Sequence, residues 1–114
     1  MKVAIIGSRT RDSDLDLKKV EGILLKLNNV TEIISGGALL GGDRFAEILA
    51  KKYDLPITIF PADWKSFGKS AGMKRNFSII VESDEIIACW DGISSGTKHS
   101  IGLAKSFKKT TYIV

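Results

Sequence analysis

Five short runs of β-branched and other apolar residues recur at wide intervals: "KVAII" (2–6), "EIIS" (32–35), "PITIF" (56–60), "EIIACW" (85–90) and "TTYIV" (110–114). These runs are apolar almost throughout, where a half-exposed strand would alternate apolar with polar. A strand of that kind must be covered on both faces, the condition of a parallel sheet held between helices. The intervals supply those helices. Leu17, Val20, Leu24 and Leu27 recur at three- and four-residue steps in the first, and Phe45, Ile48, Leu49 and Tyr53 in the second. Phe77, Ile80 and Val81 mark a third helix; Ile101, Ala104 and Phe107 mark a fourth. Strand and helix in strict alternation require right-handed crossovers. The expected fold class is α/β: a single three-layer Rossmann-like domain over residues 1–114, with about five mostly parallel strands and helices on both faces. No repeat, low-complexity segment or Pro-rich linker divides it.

A chain of 114 residues buries about two-thirds of its unfolded surface, so such a domain needs no disulfide or metal staple. The single Cys89 lies inside an apolar run and reads as a small buried hydrophobe in a reducing compartment. One histidine and one cysteine cannot build a zinc site, and no cofactor is expected. The start "MKVAIIGSR" has too short an apolar run for a signal peptide, and no segment approaches membrane-spanning length. The expectation is a cytoplasmic protein without a membrane partner. Seventeen basic residues against thirteen acidic give +4, which suits a polyanionic ligand. The lysines, however, are scattered along helical stretches such as "LDLKKVEGILLKL" and read first as solvated faces. A nucleic-acid partner is therefore compatible with the charge but not favoured by it.

Ligands on open parallel sheets sit beyond the carboxyl ends of the strands. Those ends carry "GSRTRD" (7–12), "SGGALLGGD" (35–43), "PADW" (61–64) and "WDGISSGT" (90–97), whereas the opposite ends read "LNNVT", "KYDL", "VESD" and "FKK". Gly, Ser and Asp thus collect along one edge. Gly37 and Gly42 have the spacing of a phosphate-binding P-loop, but Asp43 and Arg44 replace its Lys and Ser/Thr, and a carboxylate there repels phosphate. What remains is a strand, a glycine turn and a helix N-terminus, either an anion cradle or a tight corner. Ser8 and Arg9 follow the first strand, and arginine suits bidentate contact with phosphate or carboxylate. Ser94, Ser95, Gly96 and Thr97 open the fourth helix as a second anion cup or as ordinary capping residues. "PADWKSFGKSAGMKRN" (61–76) adds Trp64, Arg75 and Asn76, suited to a base, a phosphate and a sugar. His99 cannot complete a hydrolytic triad with its helix neighbours, and no G-x-S-x-G elbow exists.

Taken together, "GSR" (7–9), "SGGA" with "GD" (35–38 and 42–43), "PADW", "GKSAGMKRN" (68–76) and "WDGISSGTKHSI" (90–101) resemble the SLOG superfamily, in particular its small YspA-related branch. That resemblance implies a Rossmann-like domain that binds a nucleotide or a nucleotide-derived ligand such as an ADP-ribose-like molecule, as sensor or processor. It also implies homodimers. The wider superfamily includes lonely-guy phosphoribohydrolases, which release a base from a nucleotide, and DNA-processing protein A, which binds single-stranded DNA. Ser100 stands where the phosphoribohydrolases carry their catalytic glutamate. Binding is therefore the main expectation. N-glycosidase activity resting on Asp43 or Asp91 is the first alternative, and single-stranded nucleic-acid binding the second. The expected binding residues are Gly7, Ser8 and Arg9, the loop Gly36, Gly37 and Ala38, then Asp43, Trp64, Arg75 and Asn76, and finally Asp91, Gly92, Ser94, Ser95, Gly96 and Thr97. In that reading backbone N–H groups and the two arginines hold phosphate, Trp64 or Trp90 stacks on a base, and Asp43 or Asp91 accepts sugar hydroxyls.

Overall fold

In the computed structural model, which describes residues 1–114, each apolar run becomes a strand. The elements in order are β1 (Lys2–Gly7), α1 (Asp14–Lys26), β2 (Glu32–Ser35), α2 (Gly42–Lys52), β3 (Ile57–Ile59), α3 (Trp64–Phe67), α4 (Ala71–Glu82), β4 (Glu85–Cys89), α5 (Ser95–Ser106) and β5 (Thr110–Ile113). A 3-10 turn, Gly68–Ser70, joins α3 to α4. The five strands form one sheet in the order β3-β2-β1-β4-β5, and every pair is parallel. This is the α/β architecture the alternating pattern predicts.

Successive residues of a strand face opposite sides, so the apolar runs feed two cores. Val3 and Ile5 of β1 join Ile33, Ile87 and Cys89 beneath Val20 and Leu24 of α1 and Phe45 and Leu49 of α2. Ala4 and Ile6 join Ile34, Ile86 and Ala88 beneath Ile79 and Ile80 of α4 and Ala104 of α5. Cys89 is buried, as its sequence context indicates. No helix is long and apolar enough to cross a membrane.

Three local readings change. The third strand is shorter than the run 56–60: Pro56 has no N–H to donate, although its carbonyl accepts from Ile33 N–H at 2.9 Å. The segment after Pro61 contains a short helix that periodicity did not reveal, started by the Asp63 carboxylate accepting from Ser66 N–H at 3.1 Å. On α4 the buried residues are Ala71, Ile79 and Ile80, while Phe77 and Val81 stay about half exposed. Phe77 instead meets Phe107 edge-on, with ring centroids 5.7 Å apart, on the outer surface between α4 and α5. The helix is amphipathic as expected, but its sheet-facing side is rotated because α4 packs on both the sheet and α5.

Candidate functional site

The strand order places a divergence between β1 and β4. From β1 the chain passes to α1 on one face of the sheet, and from β4 it passes to α5 on the other. Loops leaving adjacent strands toward opposite faces leave a crevice between them, the usual ligand position on such sheets.

Side chains stitch the two loops across that crevice. Ser8 N–H donates to the Cys89 carbonyl at 2.8 Å. Its buried hydroxyl accepts from Asp91 N–H at 3.1 Å and lies 2.7 Å from the Ser94 hydroxyl. Asp91 is occupied on both oxygens: Oδ1 accepts from the N–H groups of Ile93 and Ser94 at 2.8 Å each, and Oδ2 from the Thr10 hydroxyl at 2.5 Å. The Thr10 hydroxyl and these N–H groups hold its carboxyl far below the ordinary carboxylate range. Trp90 donates its indole N–H to the Ser94 carbonyl at 3.1 Å, bracing the same turn. Arg11 belongs to the scaffold, reaching the carbonyls of Trp90 and Val114 and the Asp16 carboxylate.

The glycine loop forms the opposite wall. Its N–H groups turn inward: Gly37 donates to the Ser35 hydroxyl at 3.2 Å and Ala38 to Asp43 Oδ2 at 3.0 Å. Gly41 donates to Asp12 Oδ1 at 2.7 Å, and Arg44 holds that carboxylate at the same distance. Gly36 lets two side chains close over the loop, since a Cβ there would lie 2.6 Å from Arg75 Nη1 and 2.9 Å from Asp43 Oδ2 and would push the ends of both aside. Asp43 is largely enclosed. Burial pushes its carboxyl above the ordinary value, against the Ala38 N–H and the Arg75 charge, which both favour the anion.

Between these walls lies a cavity of about 290 Å³. The first loop contributes Gly7, Ser8, Arg9 and Thr10, and the glycine loop with α2 contributes Ala38 and Asp43. Arg75 and Asn76 come from α4; Asp91, Ser94, Gly96, Thr97 and Ser100 come from the last loop and α5, with Ile6 and Ile79 also lining the wall. Thr97 and Ser100 are only 7% and 3% exposed. Their hydroxyls have no hydrogen-bond partner in the chain, yet no fully enclosed side-chain polar atom lacks one, so both open onto the cavity. The N–H groups of Ser95, Gly96 and Thr97, at the positive end of α5, are likewise unpaired, the first helical bond being Lys98 N–H to Ser94.

Arg75 is aimed by a short relay. Its Nε–H lies 3.1 Å from one atom of the Asn76 amide, and Nη1 lies 3.1 Å from the Gly36 carbonyl. A guanidinium only donates, so the amide atom facing Nε is the oxygen Oδ1. The amide nitrogen then points to His99 Nδ1 at 3.2 Å, which must accept, leaving the imidazole proton on Nε2. Neither Arg75 nor Arg9 pairs with an acid. Two guanidinium groups, two unpartnered hydroxyls and a helix N-terminus converge, which is chemistry for an oxyanion.

Most of the sequence-derived candidates therefore meet. Gly36 lies beneath Arg75, Gly37 borders a neighbouring cavity, and Gly92 and Ser95 are exposed at the rim of the last loop. Trp64 stays outside the cavity lining, 59% exposed on α3. Trp90 braces its own turn and does not line the cavity either. Sequence reasoning passed over Thr10 and Ser100, which also line the cavity. The spacing of Ser100 three residues after Thr97, on one helix face, is the signal that could have found it.

No protein-family model matches the chain, and no curated protein matches it significantly. Among solved structures it is similar to DNA processing protein A from Helicobacter pylori, a structure described for its single-stranded DNA binding mode. The TM-score is 0.68 at 24% identity, over 99% of this chain and 64% of that one. This chain thus spans less than two-thirds of that protein, and at this identity the likeness is one of fold.

Proposed function

We propose that this domain binds the phosphate-bearing part of a nucleotide or nucleotide-derived ligand in the cavity between β1 and β4. The observation that carries the reading is the pair Thr97 and Ser100, more than nine-tenths buried, with hydroxyls unpartnered and open to the cavity at the N-terminus of α5. Buried polar groups are ordinarily paired, and a phosphate oxygen would pair these. Arg75 and Arg9 supply the compensating charge, and Asp43 stands where a sugar hydroxyl can donate to it. Asp91 is fully used in holding its turn, which favours binding over hydrolysis. Asp43 is then the remaining carboxylate for acid chemistry.

The test is calorimetric titration with inorganic phosphate, nucleoside monophosphates and ADP-ribose. Binding that is lost in Arg75→Ala, with the fold intact, supports the reading; no heat and no shift in melting temperature with any of them refutes it. Free base accumulating from a monophosphate, and stopped by Asp43→Asn, would replace binding by N-glycosidase activity.

The likeness in fold to DNA processing protein A favours a second reading, in which the cavity takes one nucleotide of a single strand. Oligonucleotide binding that weakens steeply with salt would support it. The homodimer implied by the resemblance belongs to the same proposal and is read by sedimentation velocity.

A further inference from the structure

We propose that Leu39 and Leu40 form a shelf for the heterocyclic base of a free nucleotide whose phosphate occupies the cavity described above. This rests on the phosphate reading and extends it to the other end of the ligand. A second cavity, of about 390 Å³, is lined by Arg9, Gly37, Ala38, Leu39 and Leu40. Arg9 and Ala38 line both cavities, so the two adjoin. A ligand anchored by its phosphate in the first would reach the second by passing over Arg9 and Ala38.

The leucines do not belong to a loose tip. Ala38 N–H is held by Asp43 on one side of them, and Gly41 N–H by Asp12 on the other. Gly37 and Gly41 have φ of +79° and +73°, turning the chain sharply at both ends of the segment. Held this way, Leu39 is 85% exposed and Leu40 49%. Display of two adjacent leucines beside a polar cavity gives a flat apolar group a surface to cover, and the planar Arg9 guanidinium offers a second stacking face. A nucleobase has both properties. Apart from Arg9 the shelf carries no side chain able to read a base edge, so the four bases should bind with similar affinity. Neither tryptophan is needed.

The experiment is calorimetry on the full chain with ribose 5-phosphate and with AMP, GMP, CMP and UMP, using wild type and Leu39→Ser/Leu40→Ser. Covering the leucines should make AMP bind about tenfold more tightly than ribose 5-phosphate, and the double variant should narrow that gap. Equal affinity of AMP and ribose 5-phosphate in wild type overturns the shelf while leaving the phosphate reading intact. So does a gap that persists in the double variant. If neither ligand binds, the phosphate reading fails and the shelf fails with it. A single-stranded oligonucleotide that binds more tightly than AMP, with the same dependence on the leucines, would overturn a free nucleotide as the occupant.

Discussion

Replacing Gly41 by alanine adds one methyl group and should unfold this domain at a much lower temperature. The residue sits at φ +73° and ψ −143°, just before α2. For an alanine that backbone conformation costs about 1–3 kcal/mol. The new Cβ would lie 2.3 Å from the Ser8 carbonyl oxygen and 3.1 Å from Arg9 Cα, so the methyl meets main chain that cannot rotate away. Overpacking against a rigid neighbour costs about a further 1–3 kcal/mol. Together these make about 4 kcal/mol, a large share of the roughly 5–15 kcal/mol that holds a domain. At about 4 °C per kcal/mol for a chain near this size, the melting temperature falls by about 15 °C. The control is Gly22→Ala, an exposed position inside α1 where an added Cβ meets nothing within 4 Å. There the same methyl removes backbone entropy from the unfolded chain and raises stability by about 0.5–1 kcal/mol. Thermal and urea unfolding, followed by circular dichroism, measure both. A Gly41→Ala protein that melts within a few degrees of wild type would show that the glycine loop retreats from Ser8 freely and is not pinned.

Other outcomes follow from the same geometry. Arg11→Ala should lower stability by about 2–3 kcal/mol, because it strands the buried Asp16 carboxylate and frees the Trp90 and Val114 carbonyls; Arg75→Ala should change melting little and abolish phosphate binding. The two aspartates respond to pH with opposite signs. Hydrogen bonds from Arg11 hold the Asp16 carboxyl below its ordinary value, so its contribution is present above the unfolded pKa and is lost as pH falls through the folded one. Burial raises the Asp43 carboxyl, so the native state binds that proton more tightly and stability declines as pH rises from the ordinary carboxylate value through the raised one. Asp43→Asn should flatten that decline, and Asp16→Asn the acid limb, in urea midpoints measured across pH. Finally, His99→Leu should weaken phosphate binding about fivefold, the weight of one net hydrogen bond. His99→Asn, whose carbonyl can accept from Asn76, should restore it, and in Arg75→Lys, which lacks Nε–H, the His99 effect should vanish. A His99→Leu effect of the same size in that background would break the relay.

Part of this molecule was readable from local pattern. Runs apolar at successive positions require cover on both faces, and helix-period segments between them supply it, so the parallel sheet and its two-sided core follow without coordinates. The carboxyl edge was legible for the same reason: once the strands are placed, Gly7, Ser8, Asp91 and Thr97 must follow strand ends. Which of those ends meet was not legible. Strand order is a long-range property, and only the β3-β2-β1-β4-β5 arrangement brings the first loop beside the last and makes a cavity between them. Individual roles were decided there too. Arg9 and Arg11 are two residues apart in the sequence, yet Arg11 is consumed by Asp16 and two carbonyls while Arg9 stays free. Asp91 and Asp43 are both acids on the carboxyl edge of the sheet, yet one is spent on its own turn and the other is enclosed beside Arg75. Trp64 has the right chemistry for a base and stands outside the cavity, whereas Leu39 and Leu40 line the one adjoining it. Residue type and periodicity specify which face of an element is buried; partners far along the chain decide what each polar group is left free to hold.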